Sequence, residues 1–119
     1  MQDPTRYGQP KVMKNFKKLS NTEADDYGGV HDNSGIHNFA AFKVMTAKDG
    51  AGAFLFQPNE LAAMFYVALA QQLSRVSTFS DSRRGVVLAT RSLFRTLPQA
   101  QLDARVRAVE AGFDAAGIK

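Results

Sequence analysis

The residue types with the most chemical potential lie in one stretch, Asp25-Asp26-Tyr27-Gly28-Gly29-Val30-His31-Asp32-Asn33-Ser34-Gly35-Ile36-His37-Asn38. Asp26 precedes His31 by five residues, with two adjacent glycines between them. A Gly-Gly turn there can fold the carboxylate back onto an imidazole nitrogen, which fixes the tautomer and favours the imidazolium. The other ring nitrogen is then an aimed donor of the kind that stabilises a developing oxyanion. The competing reading is a helix-entry loop whose polar groups satisfy the local backbone. Spacing alone leaves both open.

Metal chemistry is bounded by the histidine count. With His 2 and Cys 0, a three-histidine site and any Cys-based zinc site are excluded, and HExxH is absent. His31 and His37 stand six positions apart, about 240° round a helix, so the two rings do not share a face. Glu23, Asp25, Asp26 and Asp32 are the acids a calcium site would use, but the ordered ligand pattern of an EF-hand loop is missing. They read as a charged surface loop, and no metal site is expected within the chain.

The elements that must position these residues are helical. Residues 1–33, rich in Gly, Pro, Asp, Asn and Lys, form a long irregular arm that includes the His/Asp loop, and 34–119 form the bundle, the whole being one domain. A first helix is expected from Asn33 or Ser34, either of which could cap it, through Ile36, Phe39, Ala40 and Val44 to Asp49-Gly50. A second starts near Pro58 with Gln57 or Asn59 at its cap; being apolar on all sides, it is expected to be the buried central helix. Thr78-Phe79-Ser80-Asp81 resembles a capping box opening a third helix with a stripe of Val86, Thr90, Leu93 and Leu97. Pro98 opens a fourth, whose stripe is Leu102, Val106, Val109 and Phe113 and whose end is marked by Gly117. Ala53-Phe54-Leu55-Phe56 is the one candidate for a short extended piece. The fold class is all-α, a small bundle of about four to five helices.

A formal charge of +4 and a pI near 9.6 invite a nucleic-acid partner, yet the densest basic part, Lys11, Lys14, Lys17 and Lys18, contains no arginine and reads as a solvated segment. Neither a nucleic-acid nor a membrane partner is expected, since no run approaches the roughly 18 apolar residues of a membrane span. Met1-Gln2-Asp3-Pro4 has no secretory-signal pattern.

Gly28-Gly29-Val30-His31-x-Asn33-Ser34-Gly35-Ile36-x-Asn38 resembles the GGVHxNSGIxN motif of thermolysin-like neutral zinc metalloproteases. The likeness continues collinearly through Met1-x-Asp3-Pro4-x-x-Tyr7-Gly8-x-Pro10, through Phe65-Tyr66-x-Ala68-Leu69, and to Phe113-x-Ala115-Ala116-Gly117-Ile118. It thus covers essentially the whole chain and corresponds to the C-terminal helical part of the family's catalytic unit. Tyr27 stands where the family commonly has Asn, and His37 where it usually has an apolar residue or Pro.

The resemblance implies roles. His31 corresponds to the histidine that donates to the oxyanion of the tetrahedral intermediate, and Asp26 to the aspartate that orients it. The zinc ligands, the HExxH glutamate that activates water, and the substrate-binding arginine ahead of the MxDP stretch are not in this chain. The chain is therefore expected to be inactive alone and to supply one wall of the substrate cleft in an extracellular, zinc-dependent endopeptidase that also binds calcium. Its expected partners are the HExxH-bearing domain of the same protease and a peptide or protein substrate. Self-association is expected through an apolar face near residues 1–36 and the first helix. The alternative is a stand-alone, non-catalytic peptide- or protein-interaction module derived from such an enzyme.

Overall fold

In the computed structural model, which describes residues 1–119, an irregular arm leads into four helices. The arm contains two single 3-10 turns, Pro4–Tyr7 and Met13–Asn15. The helices are α1 (Asp26–Met45), α2 (Pro58–Val67), α3 (Phe79–Leu93) and α4 (Gln99–Ala115), and a π-turn, Ala68–Gln72, extends α2. The fold is all-α, and the only extended pairing is an isolated bridge between Lys48 and Phe54.

The fourth helix forms as its sequence dictates. Leu102, Val106, Val109 and Phe113 are all buried against the rest of the core. After the helix Gly117 takes φ 72°, and the Ile118 and Gly117 N–H groups donate to the Phe113 and Asp114 carbonyls at 3.1 and 2.9 Å. This pair of bonds satisfies carbonyls that the helix end leaves open. Arg83 on α3 donates to Asp114 and to the Ile118 carbonyl, both at 2.6 Å, and ties that end to α3.

α3 begins at the expected box: the Asp81 N–H donates to Thr78 Oγ1 at 3.3 Å, and the Thr78 N–H donates to Asp81 Oδ2 at 2.7 Å. Its buried face is Ser82, Gly85, Val86, Ala89 and Thr90, while Leu93 turns outward. Small residues here let the π-turn lie close, so the core stripe runs earlier along the helix than its large apolar residues suggest. At α2, Gln57 takes the cap position and its N–H donates to Glu60 Oε2 at 2.7 Å.

Two expectations are corrected. α2 is not the central buried helix: only Met64 is buried in it, and Tyr66 is 70% exposed. The central helix is α1, whose Ile36, Phe39, Ala40 and Val44 fill the core against α4. Leu61, Ala62 and Phe65 of α2 border an open groove, and Tyr66 faces solvent. Nor does α1 start at Asn33 or Ser34. Both lie inside it, Asn33 bonding to the arm and Ser34 Oγ donating to the His31 carbonyl at 2.5 Å.

The α1–α4 contact depends on Gly112. A Cβ there would stand 2.5 Å from Val44 Cγ2, 3.1 Å from the Val44 nitrogen and 3.2 Å from the Ala40 oxygen. Two of these are backbone atoms that cannot swing aside. Gly112→Ala gains about 1 kcal/mol of helix propensity but overpacks the seam at a cost of about 1–3 kcal/mol. A net loss of stability in denaturant unfolding is expected; a stabilised variant would show that the helices are not this close.

Candidate functional site

Asp26, Tyr27, Gly28 and Gly29 have φ values of 55°, 46°, 85° and 74°, a full left-handed turn at the head of α1. Glycine enters this region freely, whereas other residues resist it by roughly 1–2 kcal/mol each. Asp tolerates it better than most, so Tyr27 carries most of the strain. Neighbouring backbone holds the turn: the Tyr27 N–H donates to the Thr22 carbonyl and the Gly28 N–H to the Ser20 carbonyl, each at 2.8 Å, and the Gly29 N–H donates to Asp25 at 3.0 Å.

The turn brings the Asp26 carboxylate back over the start of the right-handed helix. Asp26 Oδ2 accepts from the His31 backbone N–H at 2.7 Å, and Oδ1 meets Nδ1 of the His31 ring. One carboxylate therefore caps the helix and fixes the ring at once. An ionised carboxylate only accepts, so Nδ1 carries the proton. Nε2 is left facing outward on a side chain that is 88% exposed.

The electrostatics follow from this pairing. The hydrogen bond from His31 holds the Asp26 carboxyl below the ordinary carboxylate range. The hydrogen bond to Asp26, followed by the attraction of its charge, raises the His31 pKa above the usual 6.5. The imidazolium–carboxylate pair is therefore formed below pH 6.5, is lost as pH rises through the raised His31 value, and is lost at acid pH as Asp26 protonates.

His37 behaves in the opposite way. Its ring is stacked on Phe79 with centroids 5.9 Å apart and meets Phe113 and Phe65 edge-on at 5.9 and 6.3 Å. Nε2 lies 2.7 Å from the buried Ser82 hydroxyl. Burial lowers its pKa. The cause is the aromatic box around the ring. His37 is a packing residue joining α1 to α3.

The sequence-derived site residues, Asp26 and His31, are thus brought together, and His31 and His37 are kept apart. No three His, Asp or Glu side chains gather in a geometry that could hold a metal ion. Sequence reasoning missed Asn33 and Lys17. The former looked like a cap and the latter like a solvated cation, yet Lys17 Nζ donates to Asp32 at 2.8 Å and to the Gly8 carbonyl at 3.1 Å. Only the position of Asn33 inside the motif distinguished it in the sequence.

Asp26→Asn is expected to return the His31 pKa toward 6.5, read by NMR titration of the ring, with the His37 titration unmoved. A His31 pKa indifferent to this change would contradict the pairing.

Comparison with known proteins identifies the family of the chain. Residues 1–118 match the family described as thermolysin metallopeptidase, alpha-helical domain. Among curated relatives, bacillolysin of Bacillus amyloliquefaciens is 40% identical over 109 residues, covering 92% of this chain and 19% of the relative. Neutral protease NprE of Bacillus pumilus is 36% identical over the same length, which is 34% of that protein. A zinc metalloproteinase of Listeria monocytogenes is 32% identical over 94 residues, covering 79% of this chain and 17% of the relative. The chain therefore spans between about a sixth and a third of the length of these relatives. With its motif, its helices and its match over nearly every residue, the chain belongs to the thermolysin metallopeptidase family, as the alpha-helical domain.

Proposed function

We propose that this chain works as the C-terminal helical domain of a zinc-dependent, extracellular endopeptidase, in which His31 stabilises the transition state of peptide-bond hydrolysis and Asp26 orients it. The observation that carries this reading is the Asp26–His31 pair. It presents a charged, orientationally fixed Nε2–H donor at an open surface. A hydrogen-bond donor fixed before the reaction is effective because it need not reorganise as negative charge develops on the carbonyl oxygen. Its charge strengthens the bond further, roughly twofold over a neutral one. As pH rises through the raised His31 pKa, Nδ1 keeps the proton it shares with Asp26 and Nε2 loses its own, so the donor disappears, which places an alkaline limit on activity.

The residues here do not fit a zinc site. Asp26 occupies His31 Nδ1, Ser82 occupies His37 Nε2, and no three acidic or histidine side chains gather so as to hold a metal ion. In this reading zinc, the water-activating glutamate and the calcium sites belong to the HExxH-bearing domain of the same protease. The 119-residue chain alone should cleave no peptide. In the intact protease, His31→Ala should reduce kcat by about 10²–10³-fold with KM little changed, an effect of about 2.7–4 kcal/mol. Chelator-sensitive cleavage by the chain alone, or full activity without His31, would refute the assignment.

A second feature supports a partner domain. A groove of about 710 Å³ opens beside Met1, Phe42, Met45, Phe54, Leu61 and Phe65, with an almost wholly apolar lining. It is bordered by Met1, the second half of α1 and the start of α2. We assign it to contact with the remainder of the protease, because the relatives are several times longer than this chain. Left uncovered, such a surface drives association. Sedimentation of the isolated chain should show concentration-dependent self-association, reduced by Phe42→Ser; a monodisperse monomer at high concentration would count against this role for the groove.

A further inference from the structure

We propose that Asn33 is a positioning residue for His31: its side-chain amide binds the backbone N–H and carbonyl of Lys17 and the Gly28 carbonyl, locking the arm onto the turn that carries Asp26. The inference rests on the reading of His31 as an oxyanion donor and adds to it a device that sets the donor's pose.

Asn33 is 3% exposed, and its side-chain hydrogen bonds reach outside its own helical turn. Its Oδ1 accepts from the Lys17 N–H at 2.9 Å, and its Nδ2 donates to the Lys17 carbonyl at 3.0 Å and to the Gly28 carbonyl at 3.3 Å. The carboxamide thus pairs with one residue of the arm as a neighbouring strand would, through a donor and an acceptor together. A buried amide satisfied on both sides is rigid, and losing it leaves the Lys17 N–H and carbonyl without a protein partner.

The position of these bonds makes them relevant to the site. The arm beyond Lys17 supplies the Ser20 and Thr22 carbonyls that accept from Gly28 and Tyr27. Fixing Lys17 therefore registers those acceptors against the left-handed turn. Gly29 stands between the two: a Cβ there would lie 3.1 Å from Asn33 Nδ2 and 3.0 Å from Leu19 Cδ1, so arm, amide and turn are in close contact. Aspartate cannot substitute for the amide, because it has no N–H to offer the two carbonyls. Serine keeps one donor but is too short to span both groups.

The test uses the two histidines of the 119-residue chain as separate probes in one NMR titration. Asn33→Ala should shift the His31 pKa most of the way from its wild-type value to that of Asp26→Asn, while His37, boxed between helices, titrates as in wild type. A His31 pKa unchanged in folded Asn33→Ala overturns the proposal, and so does an equal disturbance of both rings, which would mark a general structural role. If Asn33→Ala loses its helical circular dichroism, Asn33→Ser is titrated in its place. A His31 pKa between those of wild type and Asp26→Asn then supports the proposal, and a wild-type value overturns it. Neither readout depends on catalysis, so a failure of the oxyanion assignment would appear in the activity of the intact protease and not here.

Discussion

Everything at the candidate site depends on one backbone constraint, the left-handed turn at Asp26–Gly29. A right-handed start to α1 would carry the Asp26 side chain away from the ring that it must meet five residues later. Reversing the hand for one turn brings the carboxylate back over the helix N-terminus, where it accepts from both the backbone and the imidazole of His31. Such a turn does not persist on local preference, since Tyr27 resists it. It persists because the arm at Ser20 and Thr22 accepts its N–H groups. Strain held at a site by its surroundings is the usual cost of posing a side chain in advance.

The core and the site share α1. Its later turns bury Ile36, Phe39, Ala40 and Val44 in the core, and the close approach of Gly112 on α4 to Val44 and Ala40 fixes the far end of the helix that presents His31. The two histidines on this helix show how environment, and not residue type, assigns the role. His31, open to solvent and facing a carboxylate, is held toward the imidazolium, whereas His37, among three phenylalanines, is held toward the neutral ring.

Much of this was legible in the sequence where the determinants are local. The α4 stripe and its terminal glycine, the Thr78–Asp81 box and the Asp26–His31 contact all follow from spacing along a few residues. What escaped detection was non-local. Asn33 and Ser34 have the chemistry of helix caps, but Asn33 is bound to Lys17, sixteen residues earlier, and no propensity signals that pairing. The left-handed turn is similarly disguised, since Asp26 and Tyr27 do not announce positive φ as the following glycines do. α2 looked central because periodicity registers apolar faces without saying whether a helix, a groove or solvent lies against each one.

The proton shared between Asp26 and His31 is the most direct measure of the central claim. In proton NMR of the chain near neutral pH, His31 Nδ1–H should appear far downfield and exchange slowly with water, although the side chain is 88% exposed. An Nδ1 proton that exchanges as freely as that of an unpaired imidazole under the same conditions would mean that the turn does not hold Asp26 against the ring.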